Sequence, residues 1–168
     1  SIIKLKKQGK KGIAFLIDPD KANEEQLIRI SDLAEKLEIS FFLVGGSLIT
    51  SGDLKNTLQA IKRKTKLPLI LFPGSPSQIS DEADGILFLS LLSSRNPEML
   101  IGQQVIAAPY LKMTSLEIIS TAYLIIESGA QTTASYMSNS NPIPANKAEI
   151  AEATALAGEY LGMRLIYL

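Results

Sequence analysis

Six short apolar runs, each followed by a polar or amphipathic stretch, constrain the fold of this chain more than any other feature. The run 12–17 (GIAFLI) is too short for a helix and stops at Asp18-Pro19, where proline cannot continue a ladder and restricts the residue before it. It predicts a strand buried on both faces. Beyond it, Asn23 and Gln26 have the spacing of a capping box, and Leu27, Ile30, Leu33, Ala34 and Leu37 share one helical stripe. The same unit then recurs. The run 41–44 (FFLV) ends in Gly45-Gly46-Ser47, and Leu54, Leu58 and Ile61 mark a second amphipathic helix. A third strand over 67–72 stops at Pro73-Gly74, and a fourth run covers 85–89.

Asn96-Pro97 combines a good N-cap with proline at the first helical position and predicts a helix reaching about Ala107. A fifth strand is predicted over 122–126, then a polar loop over 128–145. Asn146 and Glu149 suit a further capping box, with Ile150, Ala153, Ala157 and Leu161 as its buried stripe, and 165–168 reads as a sixth strand.

Buried strands alternating with helices imply a parallel sheet built from right-handed crossovers. An open doubly wound sheet and a closed eight-stranded (β/α) barrel both satisfy the pattern. A complete barrel typically takes ~250 residues, so length alone favours the open sheet for these 168 residues. In either case ligands gather at the C-terminal ends of the strands, which directs attention to the residues after each run.

Composition narrows the chemistry. With no His and no Cys, neither a Ser-His-Asp triad nor a thiolate metal site can be built, so any metal must sit on oxygen ligands, as magnesium does. Seventeen basic against seventeen acidic residues argue against nucleic acid as a partner. No apolar run approaches the ~20 residues of a membrane helix, and the lysine-rich first twelve residues do not read as a secretory signal. The expectation is one soluble, cytoplasmic domain without stable membrane insertion.

At the strand ends, Asp18-Pro19-Asp20-Lys21 reads either as magnesium carboxylates beside a phosphate-binding cation or as acidic caps of a turn. Gly45-Gly46-Ser47 reads as a phosphate-approaching backbone with a metal-ligating hydroxyl, or as a tight turn. Ser75 and Ser77, Arg95, Glu127 and the 135–144 loop are weaker candidates for the mouth of the site. Phe88, Leu89, Leu92 and Met99 line either a groove for an apolar ligand or the core.

Taken together, the segments 16–21 (LIDPDK), 42–47 (FLVGGS), 71–75 (LFPGS), 83–90 (ADGILFLS) running to Arg95-Asn96-Pro97, 136–139 (YMSN), 142–144 (PIP) and 165–167 (LIY) resemble the geranylgeranylglyceryl phosphate synthase family, in matching order along the chain. The likeness points to the branch shared by archaea and Bacteroidetes. It implies an α/β TIM (β/α)8 barrel, of which residues 1–168 would carry the first six βα units as a single domain without its C-terminal strands. It implies an enzyme that joins the hydroxyl of sn-glycerol 1-phosphate to geranylgeranyl diphosphate and releases diphosphate, with Mg2+ as cofactor. By resemblance Asp18 and Ser47 take the magnesium positions, while Tyr167 and Leu168 open the glycerol-phosphate loop. A homo-oligomer, dimer or hexamer, is implied as well.

The family's proposed general base is a glutamate within two residues of that tyrosine, expected just after Leu168, and Gly-rich phosphate loops follow it. The catalytic base is therefore unassigned within the sequence. A longer polyprenyl diphosphate such as heptaprenyl, a TIM-barrel enzyme on another phosphorylated substrate, and a half-barrel binding module are the competing expectations.

Overall fold

Parallel strands follow one another in the order of the sequence, β1-β2-β3-β4-β5-β6, which is the order a (β/α) barrel requires. The computed structural model describes residues 2–168. Its strands are β1 (Ala14–Ile17), β2 (Phe41–Val44), β3 (Leu69–Leu71), β4 (Gly85–Leu91), β5 (Glu117–Tyr123) and β6 (Leu165–Tyr167). Between them lie α2 (Glu24–Lys36), α3 (Leu54–Lys62), α4 (Gln103–Leu111), α5 (Thr133–Met137) and α6 (Ala148–Tyr160), with a short α1 (Ile2–Lys7) at the start. Contacts divide the chain into two compact units, one of residues 2–74, 78–86 and 115–117, the other of 75–77, 87–114 and 118–168.

In the first unit β1 pairs with β2, β2 with β3, and β3 with the start of β4. Phe42, Val44, Leu58, Ile61 and Leu69 have no exposed surface, and each such side chain contributes about 1.5–3 kcal/mol of burial. The predicted capping box of α2 forms in full: the Gln26 amide donates to Asn23 Oδ1 at 2.9 Å and the Asn23 amide to Gln26 Oε1 at 3.0 Å. Its buried face carries Leu27, Ser31 and Ala34, whereas Leu33 and Leu37 of the expected stripe are exposed. A second expectation also fails. β1 is not buried on both faces; only Ile17 is, because among the described residues β1 has a paired neighbour on one side alone.

In the second unit Asn96 does cap the next helical segment, its Oδ1 accepting the Glu98 amide at 3.1 Å. The first turn, Glu98–Gly102, is wide and π-helical, and α4 continues past Ala107 to Leu111. Ser90 Oγ donates to the Leu100 carbonyl at 2.6 Å, and the Gln104 side-chain amide donates to the Leu89 carbonyl, so β4 and α4 are tied together.

Strand β5 lies earlier than the predicted 122–126: it opens on exposed Glu117 and Ile118 with buried Ile119 behind them, a short apolar pair that Ser120 and Thr121 break from the run marked by the sequence. Ile126 makes a single parallel bridge to Ile143. The 128–145 segment is not simply a loop, since it holds α5 behind a Thr132–Ser135 capping box. The expected Asn146–Glu149 box is absent; α6 starts after Lys147 with no side-chain cap, and Glu149 pairs with Lys147 at 3.9 Å instead.

The buried face of α6 is also shifted from the predicted one. Ala151 and Ala155 pack on the cluster of Ala122, Leu124 and Ile143, and Gly158 is buried, while Ile150 and Leu161 are exposed. Small residues decide this. A Cβ on Gly158 would stand 2.8 Å from that of Ala122, so only this face can approach β5. Strand β6 pairs with β5 through Tyr167, and Leu168 lies beyond it, not within it.

Candidate functional site

The C-terminal ends of β1 and β2 bring Asp18 and the 45–47 turn together within the first unit. Asp18 Oδ1 accepts the Asp20 amide at 3.1 Å, and Oδ2 meets Lys21 Nζ at 3.1 Å. The Lys21 side chain is 82% exposed, so this pair adds little to stability, and the ammonium can leave without disturbing the carboxylate. Beside Asp18 lies the backbone of Gly46, where a Cβ would stand 3.5 Å from Oδ1.

Gly45 sets this approach. Its φ is +145°, a conformation that costs other residues strain, and a Cβ there would fall 2.2 Å from the Phe72 carbonyl oxygen. The Gly45 amide donates to Ile17 at 3.0 Å and the Phe72 amide to Val44 at 2.9 Å, so the ends of β1, β2 and β3 are bonded around it. Half-buried Ser47 follows directly.

Asp18 and Ser47 thus stand on adjacent strand ends, a carboxylate and a hydroxyl of the hard-oxygen type magnesium accepts. Among the described residues there is no group of three or more Asp, Glu, His or Cys that could hold a metal by itself. Such a donor set fits a cation that takes one carboxylate and completes its shell with water and substrate phosphate.

Asp20 takes a different course from Asp18, although the sequence reads the two as a pair. Its carboxylate accepts the Thr50 amide and hydroxyl, both at 2.8 Å, the Ser51 amide at 3.1 Å and the Gly52 amide at 2.6 Å. Hydrogen bonds from the Thr50 and Gly52 amides, then from the Thr50 hydroxyl, hold its carboxyl down at about 2. Sequence reasoning missed this role; the signal available was a second acid after Asp18-Pro19 and a polar Thr50-Ser51-Gly52 tract after the Gly-Gly turn.

In the second unit the ends of β5 and β6 place Tyr123 against Tyr167, ring centroids 5.4 Å apart and edge to face. Burial, and after it the Tyr167 phenol, push the Tyr123 phenol up. Leu168 is 72% exposed at this end. The weaker candidates scatter. Arg95 turns back on its own turn, donating to the carbonyls of Leu92 at 3.4 Å and Ser94 at 3.2 Å. Glu127 is exposed, and Ser75 and Ser77 bond to each other at 2.7 Å. Leu92 packs on the Ala122 cluster, so it belongs to the core. The Asn96 side chain donates to the Ser138 carbonyl at 3.0 Å and fastens the 128–145 segment, from which Tyr136 projects 70% exposed.

The model of the PcrB family matches residues 5–168. This chain belongs to the PcrB family. The PcrB-family chain is 46% identical over 168 residues to the geranylgeranylglyceryl phosphate synthase of Chitinophaga pinensis, covering all of itself and 67% of that relative. To the enzyme of the same name from Pyrococcus abyssi it is 47% identical over 161 residues, covering 95% of itself and 63% of the relative. Its fold matches the crystal structure of (S)-3-O-geranylgeranylglyceryl phosphate synthase from Thermoplasma acidophilum in complex with sn-glycerol-1-phosphate. There the TM-score is 0.87 at 38% identity, over 97% of this chain and 66% of that one. The wild-type synthase of Thermoplasma volcanium gives a TM-score of 0.86 at 38% identity, over 94% of this chain and 63% of that one. The PcrB-family chain therefore spans about two thirds of the length of these relatives. The family expected from the strand-end motifs, in both its archaeal and Bacteroidetes members, is the family found.

Proposed function

We propose that this protein transfers a geranylgeranyl group from its diphosphate to the free hydroxyl of sn-glycerol 1-phosphate, forming an ether phospholipid precursor. The observation that carries this reading is the fold match at a TM-score of 0.87 to a synthase holding that glycerol phosphate. The strand-end chemistry of the first unit supports it.

In the reaction the allylic carbon–oxygen bond breaks, diphosphate departs with the electron pair, and the glycerol oxygen bonds to the allylic carbon while its proton goes to a base. Asp18 and Ser47 are the residues that would hold Mg2+. When bound, the metal supplies positive charge beside the oxygens of the leaving diphosphate. Asp18 is suited to this because its ionic partner Lys21 is in water and can be exchanged for another cation. Tyr167 and Leu168 open the binding loop for glycerol phosphate, which holds the attacking hydroxyl in place and so lowers the entropic part of the barrier. In this reading the proton goes to the glutamate that the resemblance expects shortly after Tyr167. No step needs His or Cys, and the chain has neither.

The reaction is placed in the cytoplasm. Among the described residues no helix is long and apolar enough to cross a membrane. A homo-oligomer, dimer or hexamer, belongs to the same reading: Val105, Ile106 and Tyr110 stand 63%, 51% and 57% exposed on α4, apolar surface that a second copy would cover.

The test is incubation of the full-length protein with labelled sn-glycerol 1-phosphate, Mg2+, and geranylgeranyl or heptaprenyl diphosphate in parallel. An ether product with the twenty-carbon donor is expected, with Asp18→Ala lowering the rate by at least about 10²-fold. No ether product, or full activity in Asp18→Ala, overturns the proposal; preference for the longer donor reassigns the substrate.

A further inference from the structure

The reaction above gives Asp20 no task, yet its side chain collects four hydrogen bonds from another segment. Oδ2 takes the Thr50 amide and hydroxyl, Oδ1 the Ser51 and Gly52 amides, so three successive backbone N–H groups converge on one carboxylate. At the same time the Asp20 amide donates to Asp18 Oδ1 at 3.1 Å. One residue is bonded both to the proposed metal carboxylate and to the segment that begins three residues after the proposed metal hydroxyl. The contact is close as well as polar: a Cβ on Gly52 would fall 2.4 Å from the Pro19 carbonyl carbon, so residues 19 and 52 are in direct backbone contact.

These bonds close a circuit. From Asp18 the chain runs through Pro19 to Asp20, across the carboxylate to residues 50–52, and back through Leu48 and Ile49 to Ser47. Hydrogen bonds from the Gly45 amide to Ile17 and from the Phe72 amide to Val44 already hold the start of the β2 turn. Its far end is held by Asp20. Between these ends the Gln78 side-chain amide donates to the Gly46 carbonyl at 3.2 Å and Gly74 lies against the Gly46 and Ser47 carbonyls, so Ser47 is the last residue held from that side; with Asp20 released, residues 48–52 lose their anchor and Ser47 its support from the far side.

We propose that Asp20 is a positioning residue for the divalent cation, which it never touches: it fixes Ser47 relative to Asp18 by clamping residues 50–52. The inference rests on Asp18 and Ser47 being the metal residues. A carboxylate that served stability alone would leave metal affinity unchanged once the protein is folded.

The experiment compares the full-length protein with its Asp20→Ala, Asp20→Asn, Ser47→Ala and Asp20→Ala/Ser47→Ala variants. Mn2+ binding is followed by electron paramagnetic resonance in the presence of inorganic diphosphate, and amide exchange by mass spectrometry. Asp20→Ala is expected to weaken Mn2+ binding by about 10-fold or more, the range found for groups that orient metal ligands, and to speed exchange at residues 50–52. The KM for sn-glycerol 1-phosphate stays unchanged. Asp20→Asn keeps a carbonyl acceptor but sets an NH2 group against one of the donors, so it falls between Asp20→Ala and the unsubstituted protein, and it is the variant read if Asp20→Ala does not fold. If Asp20 acts through Ser47, the double variant binds Mn2+ no more weakly than Ser47→Ala.

Unchanged Mn2+ affinity in a folded Asp20 variant overturns the inference, and so do additive losses in the double variant. Unchanged affinity in Ser47→Ala together with weakened affinity in Asp20→Ala also overturns it. If the unsubstituted protein forms ether product but binds Mn2+ equally well without Asp18, the metal assignment fails and the inference with it, while the activity stands.

Discussion

Replacing Gly45 by alanine tests whether the crossing of three strand ends constrains the turn beside Asp18. The new Cβ would lie 2.2 Å from the Phe72 carbonyl oxygen, and ordinary contact begins at 3.4 Å, so the ends of β2 and β3 must part by about 1.2 Å. The hydrogen bond from the Phe72 amide to the Val44 carbonyl, 2.9 Å long, opposes that movement. Stretching it by such a distance removes it, at about 1 kcal/mol, and the positive φ adds about 1–3 kcal/mol of backbone strain. The substitution should therefore cost about 2–4 kcal/mol, a large share of the ~5–15 kcal/mol that holds a domain. Gly129→Ala is the control, since Gly129 has a positive φ of +83° but nothing within 4 Å of the position of a Cβ. It bears the strain without the collision. Urea unfolding of the two full-length variants separates the terms: if Gly45→Ala loses no more stability than Gly129→Ala, the close approach of Gly45 to Phe72 does not constrain the turn, and the reasoning fails.

The remaining expectations are simpler. Leu58 of α3 is wholly buried, so Leu58→Ala should cost about 2–5 kcal/mol by urea unfolding; a loss below about 1 kcal/mol would mean that Leu58 is not packed in the core. Asp20 has its carboxyl lowered to about 2 from an ordinary 3.8, so its bonds to residues 50–52 contribute in full above pH 4 and are lost as pH falls through about 2. The amide shifts of Thr50 and Gly52, followed by NMR without metal, should titrate with a midpoint near 2; a midpoint near 4 refutes the bonding pattern.

Much of the fold is legible in local signals. The run that becomes β2 and the capping box of α2 depend on residues within four positions of each other, and they are where the sequence places them, while β6 stops one residue short of its predicted end. Proline after Asp18 and glycine at 45 likewise mark the ends of β1 and β2, where the candidate site lies. The errors share one cause. The side chains of β1 read as doubly buried, although burial depends on what packs beside them. In α6 the sequence AEIAEATALAGEY is apolar nearly all round, so periodicity offers several stripes, and contact between Gly158 and Ala122 selects one of them. Strand β5 begins at exposed Glu117 and Ile118 and carries Ser120 and Thr121 in its middle, so it lacks a continuous apolar run.

The candidate site divides in the same way. Its residue types are set by the sequence alone: without His or Cys, a metal would have only oxygen ligands, and Asp18 and Ser47 are the proposed donors at consecutive strand ends. The separation of Asp18 from Asp20 is invisible at that level. Two positions apart in the chain, the two carboxylates have the same chemistry and similar neighbours, and only the return of residues 50–52, thirty positions later, binds one and leaves the other to a cation. Element identity follows from periodicity, caps and prolines because those act over a few residues; burial, helix facing and the division of work between two like acids follow from partners that only the folded chain brings within hydrogen-bonding distance.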